Sequence, residues 1–220
     1  MDNKIMTRRI GIIFILLVSL FTFFFGISTA KAADKLDVRF IIDSSTSMKS
    51  ADPENIRIRA LQKLIRSLPN DARSGVWTYS KYVNMLVPIG VADAKWKKQA
   101  VYNIDKINAF GTSSNLAGAL QAASHGWQDK AGYKKHIIVV TNSKNMEERA
   151  ILLNKTLPKL KAAGIKLQTI SLTNSSNIDS RFLKLLALQT HGKWYQVSNA
   201  KLIDKVMNHA YQQVKKQPVA

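Results

Sequence analysis

The 220-residue chain has no cysteine, which excludes a disulfide framework and any cysteine-based zinc site. Acidic residues are scarce: 14 Asp and Glu stand against 33 Lys and Arg, a formal net charge of +19. Such an excess favours anionic partners, whether lipid headgroups, cell-wall polymers, acidic proteins or nucleic acid. The lysines are scattered, so a solvated basic surface is the plainer reading of the same excess. Several catalytic signatures are also missing. There is no G-x-S-x-G nucleophile elbow, no Gly-rich phosphate loop with its lysine, and no G-x-G-x-x-G after the first strand. A phosphatase with an aspartyl nucleophile would want a second aspartate two residues after Asp43, where Ser45 stands. His125, His136, His191 and His209 show no H-x-x-x-H or H-E-x-x-H spacing and read as surface or packed side chains.

What is present begins with an address. Met1 to Arg9 is short and basic, Ile10 to Ile27 is an almost unbroken apolar run, and Ala30-Lys31-Ala32 makes an A-x-A cleavage pattern. Residues 1–32 therefore read as a secretory signal cut after Ala32. The run at 10–27 exceeds the roughly 7–15 residues of a usual signal core and approaches the ~20 needed to cross a bilayer. An uncleaved N-terminal anchor is the alternative. Either way the remainder faces outward, periplasmic or secreted, or held to the inner membrane by residues 10–27. Export removes nucleic acid from the list of partners.

Residues 33–214 carry the pattern of one α/β domain, and 215–220 form a tail. Leu36 to Ile42 is β-branched and apolar, a buried strand. Asp52 and Pro53 are placed to cap and begin a helix. Ile58, Leu61, Ile65 and Leu68 recur at helical spacing, with Arg57, Arg59, Lys63 and Arg66 on other faces. Ser74–Tyr79 and Val83–Val87 predict an antiparallel hairpin. Helices are expected over 94–107 and 115–127, then a strand at His136–Thr141. A helical region follows over 146–163, kinked or restarted at Pro158 and ended by Gly164. Ile165–Leu172 is another strand, 180–190 a helix, Trp194–Val197 a last strand and 202–214 a last helix. Trp77, Tyr79, Trp127 and Trp194 lie on these elements and read as core. The fold class expected is a doubly wound, mostly parallel sheet with one antiparallel edge strand and helices on both faces.

In open α/β sheets ligands bind beyond the carboxyl ends of the strands, where the winding reverses. The first strand runs into Asp43-Ser44-Ser45-Thr46-Ser47. Asp43, Ser45 and Ser47 alternate, so an extended loop points all three the same way. One carboxylate and two hydroxyls are hard oxygen donors, suited to magnesium, manganese or calcium. This D-x-S-x-S pattern after an apolar strand resembles the first motif of von Willebrand factor A (vWA) domains. Gly111-Thr112 ahead of a helix is similar to the family's second motif, a threonine in a Gly-Thr loop. The third motif is usually Thr-Asp-Gly, where this chain has Thr141-Asn142-Ser143. Asp52-Pro53, Gly75 to Thr78 and Val83 to Pro88 further resemble a bacterial branch of exported vWA proteins.

The resemblance implies a metal-dependent adhesion site with Asp43, Ser45, Ser47, Thr112 and Asn142 around a divalent ion, Mg²⁺ or else Mn²⁺ or Ca²⁺. In the family the hydroxyls contact the ion directly and the aspartates often act through water. Asn142 keeps an oxygen but brings no charge, and beside a divalent ion a formal charge is one of the larger local terms. Weaker binding than at a full family site is therefore expected. Ser113, Ser114 and Ser143 are expected to be loop or helix-cap residues. The implied function is a non-enzymatic envelope module in which the ion accepts a carboxylate from an acidic protein partner. The alternative is a scaffold subunit of an envelope complex with a degenerate, metal-independent site. A remoter one is a hydrolase using Asp43.

Overall fold

The computed structural model describes residues 35–127, 132–142, 148–172 and 178–216. Residues 1–32, Ser143 and the tail end 217–220 lie outside them, so the expected address segment is not part of this description. Among the described residues no helix is long and apolar enough to cross a membrane.

Six strands form one sheet: β1 (Lys35–Asp43), β2 (Arg73–Tyr79), β3 (Val83–Val91), β4 (Tyr133–Thr141), β5 (Lys166–Leu172) and β6 (Trp194–Val197). Their order across the sheet is β3-β2-β1-β4-β5-β6. All neighbours pair in parallel except β2 and β3, the hairpin at one edge. The chain winds outward from β1 in both directions, so the switch point lies between β1 and β4. The expected sheet, with its single antiparallel edge strand, is the one observed.

The helices are α1 (Met48–Ala51), α2 (Ile56–Ser67), α3 (Ala94–Ile104), α4 (Leu116–Ser124), a composite α5 (149–162), α6 (Ile178–Gln189) and α7 (Ile203–Lys216). Alternation along β1 sorts the core into two layers. Val38, Phe40 and Ile42 pack with Leu61 and Ile65 of α2, Ile104 of α3 and Met207 and Tyr211 of α7. Ile41, with Trp77, Ile137 and Val139, packs on the other face with Leu116 and Leu120 of α4, Leu152 and Leu160 of α5, and Leu183 and Leu186 of α6. Cover on both faces is why β1 and β4 read as continuous apolar runs.

Several boundaries differ from expectation, each for a physical reason. Asp52 and Pro53 do not open α2, because the one-turn α1 comes first and α2 begins at Ile56 behind Asn55, whose φ is 52°. Asp52 still caps the helix from outside, accepting the Ile56 and Arg57 N–H groups at 2.7 and 3.0 Å. Its carboxylate also draws in Arg57 (2.8 Å, both side chains fully buried) instead of leaving that arginine on a solvated face. Composite α5 comprises Arg149–Ile151, a π-helical stretch Leu152–Thr156, and Leu157–Ala162. Pro158 has no N–H to donate to the preceding turn, and the wider π turn lies where that bond is missing. Gly164 ends the run at φ +65°. Helix α4 stops at Ser124, so Trp127 lies beyond it and is only half-buried, as is Trp194. Trp77 and Tyr79 are core.

Candidate metal centre

The site forms where β1, β2 and β4 end together. Register pairs Asp43 with Tyr79 across β1 and β2, and Ile42 with Val140 across β1 and β4. Asp43, Tyr79 and Thr141, the last residues of their strands, therefore meet at one end of the sheet. Asp43 is buried, at 1% exposure. Its Oδ1 accepts the Ser45 N–H at 2.8 Å, which turns the chain tightly after the strand. Its Oδ2 accepts the Thr141 hydroxyl at 2.6 Å and, more loosely, the Tyr79 hydroxyl at 3.5 Å. Burial, and then the Asp43 charge, push the Tyr79 hydroxyl well above its ordinary pKa. It therefore stays protonated and remains a donor.

The turn brings the two serines together in front of this carboxylate. Ser45 Oγ and Ser47 Oγ are 2.9 Å apart, and Ser47 Oγ donates to Asn142 Oδ1 at 3.1 Å. Asn142 is itself buried, and its Nδ2 has no hydrogen-bond partner among the described residues. Four of the five residues read from the sequence, Asp43, Ser45, Ser47 and Asn142, are thus linked in one hydrogen-bonded cluster.

Thr112 arrives by backbone pairing. Gly111 forms an isolated parallel bridge with Ser45. The Thr46 N–H donates to Gly111 O at 2.8 Å, and the Gly111 N–H donates to Ser44 O at 3.1 Å. A Cβ on residue 111 would lie 2.0 Å from Ser80 Cβ, so only glycine permits this approach. Thr112 follows it on the exposed side of the loop, with no hydrogen bond to Ser45, Ser47 or Asn142 among the described residues. Asn115 then caps α4, its Oδ1 accepting the Gly118 N–H at 2.8 Å. Glu148, from the far side of the β4 loop, accepts the Ala117 N–H at 2.9 Å. That places a carboxylate on the first turn of α4, where the helix dipole favours it.

The donor set fits a hard divalent cation in type and spacing. Cis oxygens around an ion bound at 2.0–2.1 Å in octahedral geometry lie about 2.9 Å apart, the separation of the two serine hydroxyls. The charge is meagre. No group of three or more His, Cys, Asp or Glu residues gathers anywhere among the described residues, and Asp43 is the single carboxylate of the cluster.

Sequence reasoning named Tyr79 as core and Thr141 within the third motif but missed their bonds to Asp43, and it missed Glu148 altogether. For the first two a signal existed: each is a polar-tipped residue closing an otherwise apolar strand. Nothing in the sequence marked Glu148.

Comparison with known proteins agrees with this architecture. A search of the curated proteins gives no match. Among solved structures, a von Willebrand factor type A protein from Catenulispora acidiphila superposes with a TM-score of 0.72 at 17% identity, covering 86% of this chain and 44% of that one. The conserved hypothetical protein BatB from Bacteroides thetaiotaomicron gives 0.67 at 17% identity, covering 83% and 100%. Proximal thread matrix protein 1 from the mussel byssus, with zinc occupying its MIDAS motif, gives 0.63 at 16% identity, covering 82% and 48%. At such identities these likenesses speak for the fold alone. The family model described as von Willebrand factor type A domain matches residues 37–209, the strands and helices just assembled, and the chain belongs to that family.

Proposed function

We propose that the domain is a metal-dependent protein-binding module of the cell envelope. In this reading Ser45, Ser47 and Thr112 hold a divalent ion, Mg²⁺ before Mn²⁺ or Ca²⁺, with Asp43 and Asn142 behind them. The ion supplies an open coordination position that a partner's carboxylate fills. The observation that carries the reading is the 2.9 Å approach of the Ser45 and Ser47 hydroxyls in front of buried Asp43. The mussel protein, whose motif of this kind holds zinc, lends support by analogy. The apolar run at 10–27 and the A-x-A at 30–32 support the envelope setting. The basic surface would steer an acidic partner toward the domain. A nucleophilic role for Asp43 has little support, because the carboxylate is buried and both its oxygens already accept hydrogen bonds.

A second reading rests on Asn142. Its Oδ1 accepts from Ser47 and its amide brings no charge where the family carries an aspartate, so in this reading the domain is a scaffold that ignores metal. Calorimetric titration of the full chain with Mg²⁺ and Mn²⁺ separates the two. The metal-dependent reading expects measurable binding in wild type, about tenfold tighter binding in Asn142→Asp from the added charge, and none in Ser47→Ala. Wild-type binding as tight as that of Asn142→Asp would remove the assigned weakness. No binding in either protein would leave the scaffold.

A further inference from the structure

Two aromatic side chains stand in water on the loops that build the site. Tyr82 is 75% exposed and Phe110 is 68% exposed, the highest values for large apolar side chains among the described residues. Phe110 immediately precedes Gly111, the residue paired to Ser45. Tyr82 lies on the β2–β3 hairpin, its carbonyl accepting the Ser80 N–H at 3.0 Å. Ser80 in turn packs directly on Gly111 and accepts the Asn115 N–H at 2.8 Å. Both rings are thus tied through a few residues of backbone to the serine cluster. Each also carries a lysine: Lys49 Nζ is 4.2 Å from the Phe110 ring centre, and Lys81 Nζ is 5.6 Å from that of Tyr82. Neither lysine forms an ion pair among the described residues, and both are exposed.

An exposed aromatic costs solubility and earns nothing in the core. Large exposed rings are what recognition surfaces concentrate, and a cation beside one offers an incoming acid a charge partner. Lysine over a ring holds the ring's orientation in free solution and leaves the ammonium available to an incoming acid. Exposed Thr46, Thr112 and Ser113 lie along the same loops. The apolar surface is therefore two separate anchors in a polar rim and not the continuous patch that inserts into a bilayer.

We infer that Phe110 with Lys49, and Tyr82 with Lys81, select the partner. The segment they fit is a stretch of protein offering an Asp or Glu flanked by aromatic or bulky aliphatic side chains, the carboxylate going to the cluster and its neighbours to the two rings. This rests on the metal-dependent reading above.

The test uses the full chain in Mg²⁺ and two probes, Ac-Gly-Phe-Asp-Phe-Gly-NH₂ and Ac-Gly-Gly-Asp-Gly-Gly-NH₂, with binding followed by NMR. The aromatic-flanked peptide should bind about tenfold tighter. Phe110→Ala and Tyr82→Ala should each remove several-fold of that difference. Both should leave the Mg²⁺ titration and the melting temperature unchanged, since neither ring is part of the core. Equal affinity for the two peptides overturns the rim assignment and leaves the metal reading standing. Mg²⁺ binding with no capture of either peptide overturns both. Ring-dependent adsorption to phosphatidylglycerol vesicles, with no discrimination between the peptides, overturns the inference in favour of a lipid surface.

Discussion

Asp43 and Arg39 lie on the same face of β1, four residues apart, and both are buried. Their surroundings could hardly differ more. Arg39 is completely enclosed by built partners. Its Nε and Nη2 reach the two carboxylate oxygens of Asp37 at 3.2 and 3.4 Å, and its Nη1 donates to the Ala123 and His125 carbonyls at the end of α4. The Trp127 ring lies 3.7 Å from its guanidinium. Asp43 meets only neutral donors, a backbone N–H and two hydroxyls, and no cation pairs with it among the described residues. A buried charge matched by its own fold is structural. One held by neutral dipoles, at a switch point and beside further oxygens, retains its attraction for a cation from solution.

The largest effect should come from breaking the matched charge. Arg39→Ala leaves Asp37 with only the looser Arg73 contact at 3.9 Å and uncaps α4, and should cost about 3–5 kcal/mol in urea unfolding. Whatever remains folded should respond to Mg²⁺ as wild type does. Asp43→Ala should reverse that pattern. It leaves the Thr141 and Tyr79 hydroxyls short of an acceptor, about 1–3 kcal/mol, and should abolish the rise in melting temperature that the proposed metal binding predicts for wild type in Mg²⁺. If the two variants lost stability and metal response alike, the distinction between them would fail.

His136 is a third kind of buried ionisable group, matched by nothing. Both ring nitrogens lack partners among the described residues. Burial, then Lys166 and Lys134, lower its pKa to about 3. The native state therefore keeps it neutral while the unfolded chain takes up a proton near 6.5. Its contribution is fully present above pH 6.5 and is lost as the pH falls toward 3, at up to about 1.4 kcal/mol per pH unit. His136→Leu should flatten this slope in unfolding curves taken from pH 7 to 5, and an unchanged slope would point to another group. Smallest of all, Glu148→Gln should cost about 0.3–1 kcal/mol through the first turn of α4. The loss should shrink in high salt, which thermal melts with and without added NaCl would register.

Much of the fold was legible because periodicity is local. The apolar runs at Leu36–Ile42 and His136–Thr141 needed only neighbours in sequence to declare themselves. The D-x-S-x-S alternation was likewise readable as a set of oxygens sharing one direction. Arg57 was misread for the complementary reason. Helical spacing assigned it to a polar face, but the Asp52 carboxylate behind the helix gave it a partner inside. Spacing says nothing about a charge that turns around to meet an acid. The hydrogen bonds of Tyr79 and Thr141 to Asp43 were not legible because they span 36 and 98 residues of chain, and only strand register makes them.

By itself the sequence determined an α/β domain with helices on both faces of its sheet and a row of hard oxygen donors after its first strand, since both follow from short-range patterns of polarity. The tertiary structure decided what surrounds each charge. It closed Arg39 inside its own acid and carbonyls, set Asp43 among neutral hydroxyls, and left Thr112, Phe110 and Tyr82 facing water around it. The energy of a buried charge depends on the atoms within a few ångströms, and those atoms come from strands and loops that only the folded sheet makes neighbours.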